Sequence, residues 1–211
     1  MIYLIGGAPR CGKTTIAKQL SRKLKTSWIS ADTIESVVAA YVSKQDLPKL
    51  FPKGVIRKET KLSNDLMYEK YSTKNITDVY IKQSETSWQA IKIMAKCAIQ
   101  EEHGLIIEGH QIHPKLISQL KKEFTEVKGI IVVRTDLKAI VLGALKNKFK
   151  KDWFIKNTKN PETYQKMGLM IKNYSQYFVK ESKKYNIKII NTQTGFRKQV
   201  KLAVQYLVKY E

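Results

Sequence analysis

The chain has 211 residues, of which 43% are hydrophobic and 27% carry charge, proportions that are usual for a globular protein. No apolar run approaches the roughly 20 residues of a membrane span, so the composition argues against a membrane partner. The net charge of +21 favours anionic partners, but only five of the 39 basic residues are arginines, on which nucleic-acid surfaces depend most. A small anionic or hydroxyl-bearing molecule is therefore favoured, and nucleic acid stays an alternative.

The chain opens with a predicted strand at residues 2–5, which is followed by a loop and a predicted helix. Residues 7–14 match the phosphate-binding pattern G-x-x-x-x-G-K-[ST] in the strand–loop–helix context that this pattern requires. Loop amides at a helix N-terminus attract phosphate, and glycines let the backbone approach it. Lys13 is predicted to be catalytic, and Thr14 to be a ligand of Mg²⁺. The predicted contacts with ATP are Gly7, Ala8, Pro9, Arg10, Cys11, Gly12, Lys13, Thr14 and Thr15.

A second predicted strand at residues 27–30 leads into a helix that is expected to run from Asp32 to about Val42. In a P-loop sheet the carboxyl end of this strand lies beside the transferred phosphate. Asp32 is therefore predicted to be catalytic, as the base for an attacking hydroxyl, as a substrate contact or as a metal ligand. A helix N-cap is the structural alternative for this residue, since aspartate is favoured at that position.

Residues 44–86 differ from the rest of the chain because they contain two prolines, many lysines and only weak periodicity. We expect a helical insertion here, made of short helices and loops that lie over the edge of the sheet.

The next predicted strand, residues 105–108, is apolar and ends in Glu108, which resembles a Walker B element. Such a carboxylate can hold a metal through water or activate a nucleophile, so Glu108 is predicted to be catalytic and to contact substrate. His110 and Gln111 follow it and are predicted to donate or accept hydrogen bonds with substrate. A structural carboxylate and an ordinary loop histidine are the alternatives. A zinc site at His110 and His113 lacks convincing further ligands.

The clearest strand covers residues 129–134, whose continuous apolar run indicates burial on both faces of a parallel sheet. Residues 137–160 follow as a basic helix and loop. We predict that this segment is a lid that closes over the phosphates, with Lys146 and Lys150 supplying positive charge. A solvated basic face is the alternative.

A helix that begins near Asn160, a strand at residues 187–191 and a final helix complete the chain. The loop at residues 191–196 is a candidate contact for adenine. Five strands alternating with helices predict an α/β fold, a doubly wound five-stranded parallel sheet, in a single domain of residues 1–211.

The cysteine content and the start of the chain bear on its location. Cys11 and Cys97 are the only cysteines, which argues against a disulfide framework. The first predicted strand follows Met1 directly, without the pattern of a signal peptide. We therefore expect a cytoplasmic protein.

Taken together, residues 6–14, 29–32 and 107–114 resemble the P-loop kinases of small molecules, the nucleoside monophosphate kinase-like group, and most of all its 2-phosphoglycerate kinase-like proteins. This resemblance implies an ATP- and Mg²⁺-dependent phosphotransferase of P-loop NTPase type that acts on a small hydroxyl- or phosphate-bearing acceptor. It also implies that residues 44–86 bind the acceptor, with Arg57 as a candidate contact. Those kinases tend to carry an arginine three residues after the aspartate, where this chain has Glu35.

Two other functions fit the same motifs. A kinase directed at nucleic acid, at a 5′-hydroxyl or at tRNA, would account for the net charge of +21. A P-loop ATPase that acts as a switch would need no acceptor at all.

Overall fold

The computed structural model describes residues 1–146 and 153–209, and the sheet formed within them is wholly parallel. Its five strands are β1 (Ile2–Gly7), β2 (Ser27–Ser30), β3 (Leu105–Glu108), β4 (Val127–Val133) and β5 (Lys188–Asn191). They are hydrogen-bonded in the order β2-β3-β1-β4-β5, with helices in the connections. This arrangement confirms the predicted doubly wound five-stranded parallel sheet.

Helices make up most of the remaining described chain. They are α1 (Lys13–Leu24), α2 (Ala31–Ala40), α3 (Leu47–Leu50), α4 (Pro52–Glu59), α5 (Asn64–Lys70), α6 (Thr73–Ser84), α7 (Trp88–Gln100), α8 (Pro114–Glu123), α9 (Leu137–Leu145), α10 (Trp153–Lys156), α11 (Pro161–Lys184) and α12 (Phe196–Val208). A short 3₁₀ helix, Glu85–Ser87, joins α6 to α7. Across the two described ranges, no helix has the length and apolar character needed to cross a bilayer.

The core lies around the middle of the sheet. Every residue of β1 is buried, and so are all residues of β4 except Lys128. The long helix α11 packs on β4 and contributes Tyr174 and Phe178, both fully buried. Strands covered on both faces need apolar side chains throughout, which explains the unbroken apolar run that marks β4 in the sequence.

The register of the sheet brings the ends of β2 and β3 level with each other, two residues before the end of β1. Glu108, the last residue of β3, pairs with Ser30 at the end of β2 and with Ile5 of β1. Strand β1 continues into the P-loop, and α1 begins at Lys13. Residues that follow these strands therefore meet at the carboxyl edge of the sheet, where open α/β sheets bind their ligands.

Helix α2 departs from the sequence-based expectation at both ends. It ends at Ala40 rather than near Val42, and it is capped by Ser30, whose hydroxyl accepts a 3.2 Å hydrogen bond from the N–H of Asp32. The alternative role of Asp32 as the N-cap is therefore wrong. Because the serine satisfies the helix terminus, the carboxylate of Asp32 is left available for other contacts.

The insertion and the predicted lid each contain helices. Residues 44–86 include α3 to α6, and α6 packs against α11. Helix α9, at the start of the predicted lid at residues 137–160, is apolar rather than basic, because it buries Ile140, Val141 and Ala144. Of the two lysines predicted to supply positive charge from the lid, Lys146 and Lys150, the second lies outside the described residues.

Candidate active site

Two glycines give the P-loop its shape. Gly7 has φ +130° and Gly12 has φ +99°, conformations that side chains with a Cβ rarely adopt. A Cβ on Gly7 would lie 2.0 Å from the carbonyl oxygen of Val132, and one on Gly12 would lie 2.7 Å from the ring of Phe196. The loop can therefore follow this path only with glycine at both positions.

Internal hydrogen bonds hold the P-loop in place. The Lys13 ammonium donates a 2.8 Å hydrogen bond to the carbonyl of Ala8, and this lysine is 8% exposed. The hydroxyl of Thr192, in the loop after β5, donates a 2.7 Å hydrogen bond to the carbonyl of Cys11. Burial raises the pKa of the Cys11 thiol, so it stays protonated. The loop is thus preorganised around its lysine.

A cavity of about 970 Å³ opens over the P-loop and α1, and we call it the basic pocket. Its wall carries five cationic side chains and no carboxylate among the described residues. Phe196 follows β5 and lies in the wall, with the Arg134 guanidinium 5.4 Å from its ring. The lining residues are Arg10, Gly12, Lys13, Thr14, Thr15, Arg134, Gly143, Lys146, Phe196 and Arg197. Concentrated positive charge at a helix N-terminus suits a polyphosphate.

A hydrogen bond joins the P-loop to the neighbouring strand. The hydroxyl of Thr14 donates 2.9 Å to Oε1 of Glu108, which is 4% exposed. Burial raises the pKa of Glu108, against the opposing effects of the Lys13 charge and the Thr14 hydrogen bond. A hydroxyl and a carboxylate therefore face each other beside the P-loop lysine, the oxygen chemistry that Mg²⁺ prefers.

Asp32 lies at the mouth of the site, with 68% of its side chain exposed. Its Oδ1 accepts a 2.8 Å hydrogen bond from the Gln111 amide and lies 3.6 Å from Nε2 of His110. Burial would raise the pKa of Asp32, but the interaction with His110, the Gln111 hydrogen bond and the charges of Lys53 and Lys13 outweigh it and lower the pKa. The carboxylate is therefore ionised at neutral pH.

A second cavity of about 500 Å³, the acidic pocket, adjoins the first. It is lined by Pro9, Arg10, Lys13, Thr14, Asp32, Glu35, Ser36, Lys53, Tyr80, Glu108, Gly109, His110 and Trp153. Arg10, Lys13 and Thr14 belong to both walls. The two cavities therefore meet at the P-loop, one rich in cations and the other bearing three carboxylates.

A hydrogen-bonded network supports the wall of the acidic pocket. Glu35 accepts from Lys53 at 2.7 Å, from Gln83 at 2.9 Å and from Gln111 at 3.1 Å. Lys53 and Tyr80 line the cavity, yet nothing in their local sequence singled them out. Their place depends on how α4 and α6 pack against each other and bond Glu35 of α2 through Lys53 and Gln83, contacts that no local pattern specifies.

The structure brings most of the proposed site residues together. His110 lines the acidic pocket and Lys146 lines the basic pocket, whereas Gln111 lies behind the wall and holds Asp32 and Glu35. Arg57 lies in neither lining. Its guanidinium donates 2.7 Å to Oδ1 of Asn64 and also bonds the Leu62 carbonyl, so it ties α4 to α5.

The two buried histidines have aromatic neighbours. The Tyr174 hydroxyl lies 3.1 Å from Nε2 of His113, and the Tyr177 hydroxyl lies 3.3 Å from its Nδ1. Burial lowers the pKa of His113 to about 3. Within residues 1–146 and 153–209 there is no cluster of three or more His, Cys, Asp or Glu side chains that could hold a metal.

Comparison with known proteins shows which of them share this fold. No protein-family model matches the chain, and no curated protein sequence matches it. A gluconokinase from Sinorhizobium meliloti is similar in structure, with 9% identity and a TM-score of 0.54, covering 97% of this chain and 90% of that one.

Two further solved structures are similar. TT1252 from Thermus thermophilus has 12% identity and a TM-score of 0.52, covering 99% of this chain and 96% of that one. A kinase candidate from Chloroflexus aurantiacus has 13% identity and a TM-score of 0.50, covering 97% of this chain and 92% of that one. At such low identity the likeness concerns the fold alone. The chain therefore has the fold of the P-loop kinases.

Proposed function

We propose that the protein is an ATP- and Mg²⁺-dependent phosphotransferase that acts on a small hydroxyl- or phosphate-bearing acceptor. The observation that carries this proposal is the meeting of the basic and acidic pockets at Arg10, Lys13 and Thr14. A phosphoryl donor and an acceptor must approach each other across such a junction. The similarity in fold to a gluconokinase supports the same reaction class.

In this proposal the basic pocket holds the phosphates of ATP. Lys13 and the amides at the start of α1 bind the transferred group, and the surrounding cations offset its charge. Lys146 contributes from the end of α9, at the beginning of the proposed lid. Phe196 offers an aromatic surface beside the phosphates, in keeping with a base-binding role for the loop at residues 191–196.

The acidic pocket holds the acceptor, with Asp32 as the base. As the acceptor oxygen attacks the γ-phosphorus, its proton passes to a carboxylate oxygen of Asp32. A new O–P bond forms while the bond from the γ-phosphorus to the bridging oxygen breaks, and ADP leaves with that electron pair. His110 and Gln111 orient the carboxylate of Asp32, since both lie close to its Oδ1.

The residues present fit a magnesium ion. Thr14 and Glu108 supply a hydroxyl and a carboxylate within 2.9 Å of each other, and Asp32 supplies a second carboxylate to the same pocket. Few protein ligands suffice, because Mg²⁺ in kinases keeps water and phosphate oxygens as its other ligands. When bound, the ion neutralises charge on the donor phosphates.

Lys13→Ala tests the proposal, with Lys23→Ala as the control. Both lysines belong to α1, but Lys23 is exposed and lies in neither pocket. Transfer of labelled γ-phosphate from ATP to a mixture of hydroxyl compounds should fall at least about 10²-fold in Lys13→Ala, since a preorganised charge is lost. Lys23→Ala should behave as the unmodified protein. Near-normal transfer by Lys13→Ala would overturn the proposal.

A further inference from the structure

The acidic pocket differs in charge from the basic pocket that it adjoins. Its wall contributes three carboxylates, those of Asp32, Glu35 and Glu108. Among its described lining residues, Lys53 is the cation that the basic pocket does not share, because Arg10 and Lys13 line both. Whatever binds beyond the P-loop therefore meets mostly negative charge.

Lys53 is already neutralised by the protein. Its ammonium lies 2.7 Å from Oε1 of Glu35, and the side chains of the two residues are 24% and 9% exposed. Burial would lower the pKa of Lys53, but the interactions with Tyr80 and Glu35 outweigh it and raise the pKa. Separating such an ion pair leaves a charge without a partner, which is unfavourable. A bound anion would thus compete with Glu35 for this lysine.

The position of Lys53 is fixed as well as its charge. Its backbone N–H donates 2.8 Å to Oε1 of Gln83, whose amide in turn donates to Glu35. The ammonium also lies 5.4 Å from the ring of Tyr80. The lysine is held as a part of the wall, with its head group directed at the glutamate.

Both ring nitrogens of His110 face protein groups in the same wall. The residue is 7% exposed, its Nδ1 lies 3.3 Å from the hydroxyl of Ser84, and its Nε2 lies 3.6 Å from Oδ1 of Asp32. A carboxylate or phosphate on the acceptor would find no unpaired cation among these residues outside the P-loop.

The geometry points to an uncharged polyhydroxy acceptor of monosaccharide or cyclitol size, selected against anionic compounds of the same shape. This inference rests on the proposed function and specifies its acceptor. Hydroxyl groups can donate hydrogen bonds to the carboxylate oxygens, while Tyr80 and Trp153 offer apolar surface in the wall. A cavity of about 500 Å³ admits a molecule of this size. An anionic compound brought up to these carboxylates meets like charge, which supplies the selectivity.

Matched pairs of probes test the inference. Glucose and gluconate, ribose and ribose 5-phosphate, and glycerol and glycerate are each offered with ATP and Mg²⁺, and kcat/KM for transfer of labelled γ-phosphate is measured. In the best-used pair, the neutral member should be favoured by at least about tenfold. Preference for the acidic members would overturn the inference.

Glu35→Gln provides the second arm, because it removes the counterion of Lys53 and keeps the shape of the side chain. Its ratio of acidic to neutral kcat/KM should rise by at least about tenfold. Glu59→Gln is the matched control, since Glu59 also accepts 2.7 Å from a lysine, Lys70, but lies outside the pocket. An unchanged ratio in folded Glu35→Gln would overturn the inference. If that variant does not fold, the ratio of acidic to neutral kcat/KM measured on the unmodified protein decides.

Calorimetric titration with ATP separates the two proposals. ATP binding without transfer to any neutral probe would overturn the inference and leave the kinase proposal standing. Failure to bind ATP would overturn the proposed function itself.

Discussion

The hydroxyl of Thr14 and Oε1 of Glu108 lie 2.9 Å apart, joined by a hydrogen bond between the first residues of α1 and the last residue of β3. These residues are 94 positions apart in the chain. Parallel pairing of β1 with β3 makes the contact possible, because it sets the P-loop beside the end of β3. The hydrogen bond therefore links the phosphate loop to the carboxylate that would orient a metal ion.

Replacing Glu108 by glutamine should lower turnover by about 10- to 100-fold, the usual effect of losing a group that orients a metal or its ligands. The amide can still bond Thr14, so the fold should persist. Steady-state kinetics at several Mg²⁺ concentrations measure the effect. Glu123→Gln is the control, since Glu123 is exposed on α8. Turnover unaffected by Glu108→Gln would remove this carboxylate from the mechanism.

Asp32→Asn should lower kcat by about 10²- to 10⁴-fold, as expected for the loss of a general base. ATP affinity should change little, because Asp32 lines the acidic pocket and not the basic one. Single-turnover rates and ATP titrations, measured together, make the comparison. Asp78→Asn is a control at an exposed residue that pairs with Lys74. Equal losses in ATP binding and rate would contradict a role as base.

Lys146→Ala should raise the KM for ATP, because this lysine lies in the wall of the basic pocket at the end of α9. A charge-assisted contact with phosphate is worth about 1.5–3 kcal/mol, roughly a tenfold to hundredfold change. Lys138→Ala tests the same helix at an exposed position outside the pocket. If the two variants have the same KM, the basic face of the proposed lid is merely solvated.

The buried histidines should make the fold less stable as the pH falls. His113, with a pKa of about 3, and His110, with a strongly lowered pKa, stay neutral in the folded protein, whereas in the unfolded chain they take up protons near pH 6.5. Stability should therefore drop by about 1 kcal/mol for each histidine between pH 7.5 and 5.5. Glu108, whose pKa burial raises, acts in the opposite direction.

Urea denaturation at several pH values measures this dependence. His113→Gln should reduce the slope, because the residue that binds a proton only on unfolding is gone. His103→Gln, which alters an exposed histidine, is the matched control. A slope that His113→Gln leaves unchanged would contradict the prediction, because His113 would then bind its proton without unfolding.

The sequence predicts the part of the site that depends on local order. The P-loop, Asp32 and Glu108 each directly follow or lie next to a strand, and parallel pairing then brings strand ends together. Their proximity follows from the order of the strands in a parallel sheet, so the sequence pattern alone predicts it. The same reasoning identifies β4, whose apolar run needs no knowledge of its neighbours.

The contacts within residues 44–86 could not be predicted in this way. Arg57 is the residue that the sequence suggests as a contact for the acceptor, yet it bonds Asn64 and Leu62. Lys53, four positions earlier, lines the pocket instead. Which side chain of a short helix faces the pocket depends on how the helix packs, here on the contact of α4 with α6. The pairing of Lys53 with Glu35 likewise joins two separate helices.

The most direct test of the account is a ³¹P NMR time course of the protein with ATP, Mg²⁺ and a mixture of neutral polyhydroxy compounds. The account predicts that a phosphate monoester resonance grows in step with ADP, and that both disappear when Lys13 is replaced by alanine. ADP that accumulates with inorganic phosphate alone would contradict it, because the protein would then be an ATPase without an acceptor.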